Sequence, residues 1–105
     1  MDQYSETAKS YFRQGYNCSQ SVFLTFAPLL GMDRETAARL TSSFGGGMGR
    51  LREVCGAVSA MFMIAGLYNG YTSPADYEGK TLHYRRIQEL ANEFKALHHS
   101  IICRE

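Results

Sequence analysis

Apolar residues recur along this chain at intervals of three and four, the spacing of one face of a helix. Tyr4, Ala8, Tyr11 and Phe12 make the first such stripe, and Gly15 ends it. Asn17 predicts the N-cap of a second helix, and Gln20, three residues on, completes a variant of the capping box. Val22, Phe26, Leu29 and Leu30 then share a face as far as Gly31, with Pro28 predicting a kink or an early end. Asp33 predicts the cap of a short third helix striped by Ala37, Leu40 and Phe44. A fourth helix, Leu51 to Tyr68, is apolar on nearly every side through Val54, Ala57, Val58, Met61, Phe62, Ile64 and Leu67. Such a helix is expected to be the most buried, with the others around it. Ser73-Pro74-Ala75-Asp76 reads as an N-cap, a proline at the first helical position and an acid in the first turn. The fifth helix then runs to about His98, with His83, Ile87, Leu90, Phe94 and Leu97 as its stripe. No segment alternates apolar and polar, and no internal repeat is present. The pattern predicts an all-α fold, a bundle of about five helices around a buried central helix, in a single domain spanning residues 1–105.

Composition narrows the class of function. Eleven basic and ten acidic residues leave a net charge of +1, which gives no electrostatic reason to expect nucleic acid or an anionic membrane as partner. The longest apolar run, Val54 to Leu67, is shorter than the ~20 residues of a bilayer span, so no membrane insertion is expected. The start, Met1 to Glu6, is polar and lacks the basic opening of a signal peptide. Three cysteines cannot close a disulfide framework within one chain. With no export signal, the expected location is cytoplasmic and the expected resting state is reduced.

The cysteines are the candidate chemistry. Cys18 is expected in the first turn of the second helix and Cys55 in or near the first turn of the fourth. Helix N-termini carry partial positive charge, which favours thiolate over thiol, and Arg50 and Arg52 add to it beside Cys55. Thiolate is the form that attacks disulfides, reacts with oxidants or binds metal. The plainer reading is that a cysteine on an apolar helix is a small core residue.

A glycine loop, Phe44-Gly45-Gly46-Gly47-Met48-Gly49-Arg50, leads into Cys55. It is neither a dinucleotide fingerprint nor a P-loop, since G-x-G-x-x-G does not fit, no strand precedes it and no Gly-Lys-Ser/Thr follows. What it offers is an anion cradle, in which Gly45, Gly46, Gly47, Gly49 and Arg50 would face a phosphate, a carboxylate or a sulfur anion. The alternative is a flexible turn that lets two helices cross closely. Glu53 is the one acid beside this region, a base or an ion pair for Arg50. His98 and His99 lie near Cys103 in sequence, but the spacing matches no tight zinc motif.

These residues resemble a family of small redox-active proteins labelled C_GCAxxG_C_C. Three stretches carry the resemblance: Gly15 to Val22, then Phe44 to Arg50 with Cys55-Gly56-Ala57, then Phe94-Lys95 through Cys103-Arg104-Glu105. The resemblance implies redox-active cysteines and transfers that role to Cys18, Cys55 and Cys103 alone. Where the family has its second motif glycine, this chain has Ala60. The family's fourth cysteine, beyond Cys103, has no counterpart in these 105 residues.

Three readings follow. In the first, a thiol redox protein uses Cys55 as nucleophile and Cys18 or Cys103 to resolve it as a disulfide, with no cofactor required and an unidentified redox partner. In the second, the three thiolates hold zinc or an iron–sulfur centre, with a fourth ligand from His98, His99, a partner chain or an exogenous molecule. In the third, a non-catalytic helical interaction module simply buries its cysteines. A largely apolar helix set suits a homodimer, although no heptad seam specifies one.

Overall fold

The computed structural model describes residues 3–103, and these form five principal helices with one isolated antiparallel bridge. Helix α1 is Gln3–Arg13 and α2 is Cys18–Phe26. The capping box at α2 is complete. Gln20 N–H donates to the Asn17 side chain at 2.9 Å, and Asn17 N–H donates to the Gln20 side chain at 3.1 Å. Pro28 ends the α-helical run at Phe26, as its missing donor requires. The chain continues as a tighter 3-10 turn, Ala27–Leu30, and leaves it through Gly31 at φ 70°. Helix α3, Arg34–Thr41, starts from Asp33, whose carboxylate accepts Thr36 N–H at 3.0 Å. That bond holds the Asp33 carboxyl below its ordinary range. Helices α4, Gly56–Asn69, and α5, Tyr77–His98, complete the set.

The core lies between α2, α3 and the first half of α4. Phe23, Leu24, Ala27, Ala37 and Ala60 form one buried cluster. Thr25 and Thr41, also buried, return their hydroxyls to the carbonyls of Ser21 and Ala37, four residues back, at 2.8 Å each. Small residues on the facing surfaces, Ser19 and Ser21 of α2 with Gly56, Ser59 and Ala60 of α4, let those two backbones approach closely.

Four expectations need correction. The fourth helix begins at Gly56 and not at Leu51, because Arg50 and Arg52 adopt positive φ and break the helical path before Cys55. The most buried helix is α2, not α4. Burial on α4 is confined to Gly56, Val58, Ser59 and Ala60, and Leu67, Tyr68 and Asn69 are exposed. The long α5 contributes no buried residue, so its packing leaves the second half of α4 only partly covered. At α5 the cap is Asp76, which accepts Gly79 N–H at 2.9 Å, while Ser73 shapes the preceding turn. Among the predicted stripes, Phe12, Leu29, Leu40 and Leu97 are exposed. No helix among the described residues is long and apolar enough to cross a membrane.

Candidate functional site

Glycines place the cysteines at the shared end of α2 and α4. Cys18 is the first residue of α2, and its sulfur rests on Gly56. A β-carbon added to Gly56 would stand 2.6 Å from Cys18 Sγ and 2.6 Å from the Phe44 carbonyl oxygen, so no larger residue fits. Cys55 is the residue before Gly56 and the N-cap of α4. Its side chain makes no capping bond, and its carbonyl accepts the first helical bond, from Ser59 N–H at 3.0 Å. The thiol of Cys18 thus meets the backbone one residue from Cys55.

Cys103 arrives by a different route. The chain leaves α5 through His99, at φ 72°, and folds back so that Ile102 pairs with Val54 in the antiparallel bridge. Cys55 N–H donates to the Ile101 carbonyl at 2.7 Å, and Cys103 N–H donates to the Glu53 carbonyl. Val54 and Ile102 are therefore the non-hydrogen-bonded pair at the centre. Cys55 and Cys103 each follow one residue of that pair, which makes them diagonal neighbours across the bridge. Such neighbours lie about 7–8 Å apart at the backbone, within reach of modest movement. Cys103 also packs on the glycine loop, since a β-carbon on Gly47 would stand 2.6 Å from Cys103 Cβ. Gly45 makes the same kind of room for the side chain of Asn17, which donates to the Ser42 carbonyl at 3.1 Å.

The loop between them is left-handed. Gly46, Gly47, Met48, Gly49 and Arg50 run consecutively at φ 61° to 73°, and Arg52 follows at 62°. L-residues in this region cost roughly 1–2 kcal/mol each, so Met48, Arg50 and Arg52 strain the segment that carries Cys55. Its carbonyls are satisfied locally. Gly49 and Arg50 N–H groups both donate to Gly45, Arg52 N–H to Gly46 at 3.2 Å and Glu53 N–H to Gly47 at 3.0 Å. Of the five residues expected to cradle an anion, Gly49 and Arg50 direct their N–H groups into the loop itself. Gly45 and Gly47 serve as the floor for Asn17 and Cys103.

All three cysteines are half-buried free thiols. His98 rests its ring on Phe94 at 4.6 Å, His99 forms the turn, and His83 meets the edge of Tyr71. No group of three or more His, Cys, Asp or Glu side chains among the described residues is arranged to hold a metal ion. Ser19, fully buried beside Cys18, keeps a hydroxyl with no hydrogen-bond partner among the described residues.

The model of a family described as "Putative redox-active protein (C_GCAxxG_C_C)" matches residues 16–105. The chain belongs to this family. No curated protein and no solved structure matches it. The matched range holds the three cysteines and the glycine loop and leaves out α1. Ala60 is fully buried in the core cluster with Phe23, Leu24, Ala27 and Ala37.

Sequence reasoning missed the roles of Asn17 and Gly56 as spacers, and the wall that α1 builds beside Cys18. Ala8, Lys9, Phe12 and Arg13 of α1 line one side of a cleft whose other side is Cys18, Ser21 and Val22 of α2 with Ala57 of α4. The readable signal was the recurrence of Ala8-Lys9 and Phe12-Arg13 four residues apart, which puts them on one helix face.

Proposed function

We propose that the protein exchanges electrons through its thiols, with Cys18 and Cys55 as the working pair and Cys103 as a third thiol able to join them. The observation that carries this reading is the seat of the Cys18 sulfur on Gly56, the residue after Cys55. Oxidation of the pair by a disulfide leaves one protein disulfide and two small thiols, and needs no metal or organic cofactor. The strained left-handed segment before Cys55 supports the same reading, because backbone strain of this kind is concentrated where a fold positions reactive groups. Cys103 is tied to the strand that carries Cys55, so an exchange from one disulfide to the other is a short move.

The test is oxidation of anaerobically purified protein with diamide, followed by digestion without reductant and mass spectrometry. A Cys18–Cys55 linked peptide is the expected product. Stoichiometric iron or zinc in the purified protein, lost when the cysteines are replaced, would overturn the reading in favour of a metal carrier. Three thiols that stay reduced would reduce the cysteines to packing residues.

A further inference from the structure

The cleft between α1, α2 and the start of α4 has a volume of about 320 Å³ and opens to solvent. Its walls are formed mainly by Ala8, Phe12, Val22 and Ala57, and Cys18 is one of its lining residues. Phe12 is 61% exposed, so its ring stands at the rim with no role in the core. Lys9 and Arg13 flank it on the same helix face. Arg13 pairs with no carboxylate among the described residues, and Lys9 reaches Glu6 only at 3.9 Å with both side chains more than half exposed. Cys55 is absent from the cleft lining.

We infer that this cleft is the substrate site of the thiol pair, and that its substrate class is a low-molecular-weight disulfide with a flat apolar body and an acidic group. The inference rests on the thiol-exchange reading and assigns the first attack to Cys18, where the sequence alone points to Cys55. The apolar walls and the Phe12 ring hold the body of the substrate. The two cations draw its carboxylate to the rim. The Cys18 thiolate attacks the near sulfur, the substrate S–S bond breaks, and one thiolate leaves. The mixed disulfide that results is attacked at the Cys18 sulfur by the Cys55 thiolate, which releases the second thiolate and closes the Cys18–Cys55 bond. Two electrons pass from the cysteine pair to the substrate, and the two thiol protons go with the two products.

The experiment compares two probes, the aromatic and anionic dithiobis-nitrobenzoate and the small neutral hydroxyethyl disulfide, on folded and urea-unfolded protein. Folding should raise the ratio of the two rates at Cys18 by about tenfold, with the first adduct mapped to Cys18 by mass spectrometry. That ratio should fall with salt and collapse in Arg13→Glu. Phe12→Ser, a change at an exposed position that keeps the charge, should lower it independently of salt. If Cys18 reacts but the ratio is the same folded and unfolded, the cleft does not select substrate, although thiol exchange stands. If the first adduct forms on Cys55 or Cys103, the assignment of Cys18 is wrong. If neither probe produces a protein disulfide, the thiol-exchange reading itself fails.

Discussion

The sulfur of Cys18 occupies the space that a side chain on Gly56 would need. One hydrogen atom in place of a methyl group therefore decides how closely α2 can approach α4. Gly56→Ala should destabilise the protein by about 1–3 kcal/mol, the usual range for overpacking a tight interface. Gly66 gives the control. Nothing lies within 4 Å of the position its β-carbon would take, in the last turn of the same helix. Gly66→Ala should stabilise by roughly 0.5–1 kcal/mol. Urea midpoints of the two variants moving in the same direction would contradict this account.

The left-handed run before Cys55 makes the opposite demand. Met48 and Arg52 are held at φ 65° and 62°. Met48→Gly and Arg52→Gly should each stabilise the fold by about 1 kcal/mol through release of that strain. Gly47→Ala should destabilise it strongly, because the added carbon meets Cys103 Cβ and the backbone of Arg52 and Glu53 within 3 Å. Thermal melts of the three variants, compared at one pH, would show two shifts upward and one downward.

Much of this arrangement could be read in advance, for local reasons. Asn17 with Gln20, Asp33, Pro28 and Gly31 act through bonds three or four residues long, so their sequence spacing is their mechanism. The start of α4 was not legible. Leu51 and Val54 continue the apolar spacing of that helix, and nothing in Met48, Arg50 or Arg52 announces a left-handed backbone, which non-glycine residues adopt only under tertiary constraint. The bridge that delivers Cys103 involves a single residue pair, Val54 with Ile102, too short to alternate. Gly56 looked like one more motif glycine, because the need for it comes from Cys18, distant in sequence. The lower burial of α4 depends on how little of it α5 covers, which is a property of packing and not of either helix alone.

Core position can be tested directly. Phe23 is fully enclosed at the centre of α2, whereas Phe62 is half-buried on α4. Phe23→Ala should cost about 3–5 kcal/mol, and Phe62→Ala clearly less under the same denaturant conditions. An equal or larger loss at Phe62 would mean that α4, and not α2, is the centre of the fold.

The cap at Asp33 predicts a pH dependence. Its carboxyl titrates below its ordinary value of 3.8 because the carboxylate accepts Thr36 N–H. A folded-state value below the unfolded one means that the unfolded chain takes up the proton first as pH falls. The stabilisation is therefore complete above about pH 4–5 and is lost as the pH drops through the folded value. Asp33→Asn keeps an oxygen that can accept the same N–H but has no proton to gain. Stability measured from neutral pH down to pH ~3 should fall less steeply in Asp33→Asn than in the parent, with the curves running parallel above the acid range.

Backbone strain at His99 is coupled to the exposure of the Cys103 thiol. His99 sits at φ 72°, ψ −32°, where the chain turns from α5 toward the bridge that holds Cys103. Glycine adopts such a conformation without the clash of a β-carbon, so His99→Gly should favour the closed turn by about 1 kcal/mol. Cys103 is half-buried, with its β-carbon seated on Gly47 and its N–H bonded to Glu53. A reagent reaches it fully only when the segment after α5 opens, and that opening is a local event, separate from global unfolding. The rate of Cys103 alkylation then follows the population of the open form, provided closing is faster than the reagent. His99→Gly should slow alkylation of Cys103 about fivefold, the factor for 1 kcal/mol, while leaving the rate at Cys18 as it was. The amides of Cys55 and Cys103, paired across the same bridge, should gain protection from hydrogen exchange in step. A variant that slowed all three cysteines equally would show that they open together in one global event, and that the C-terminal segment has no motion of its own.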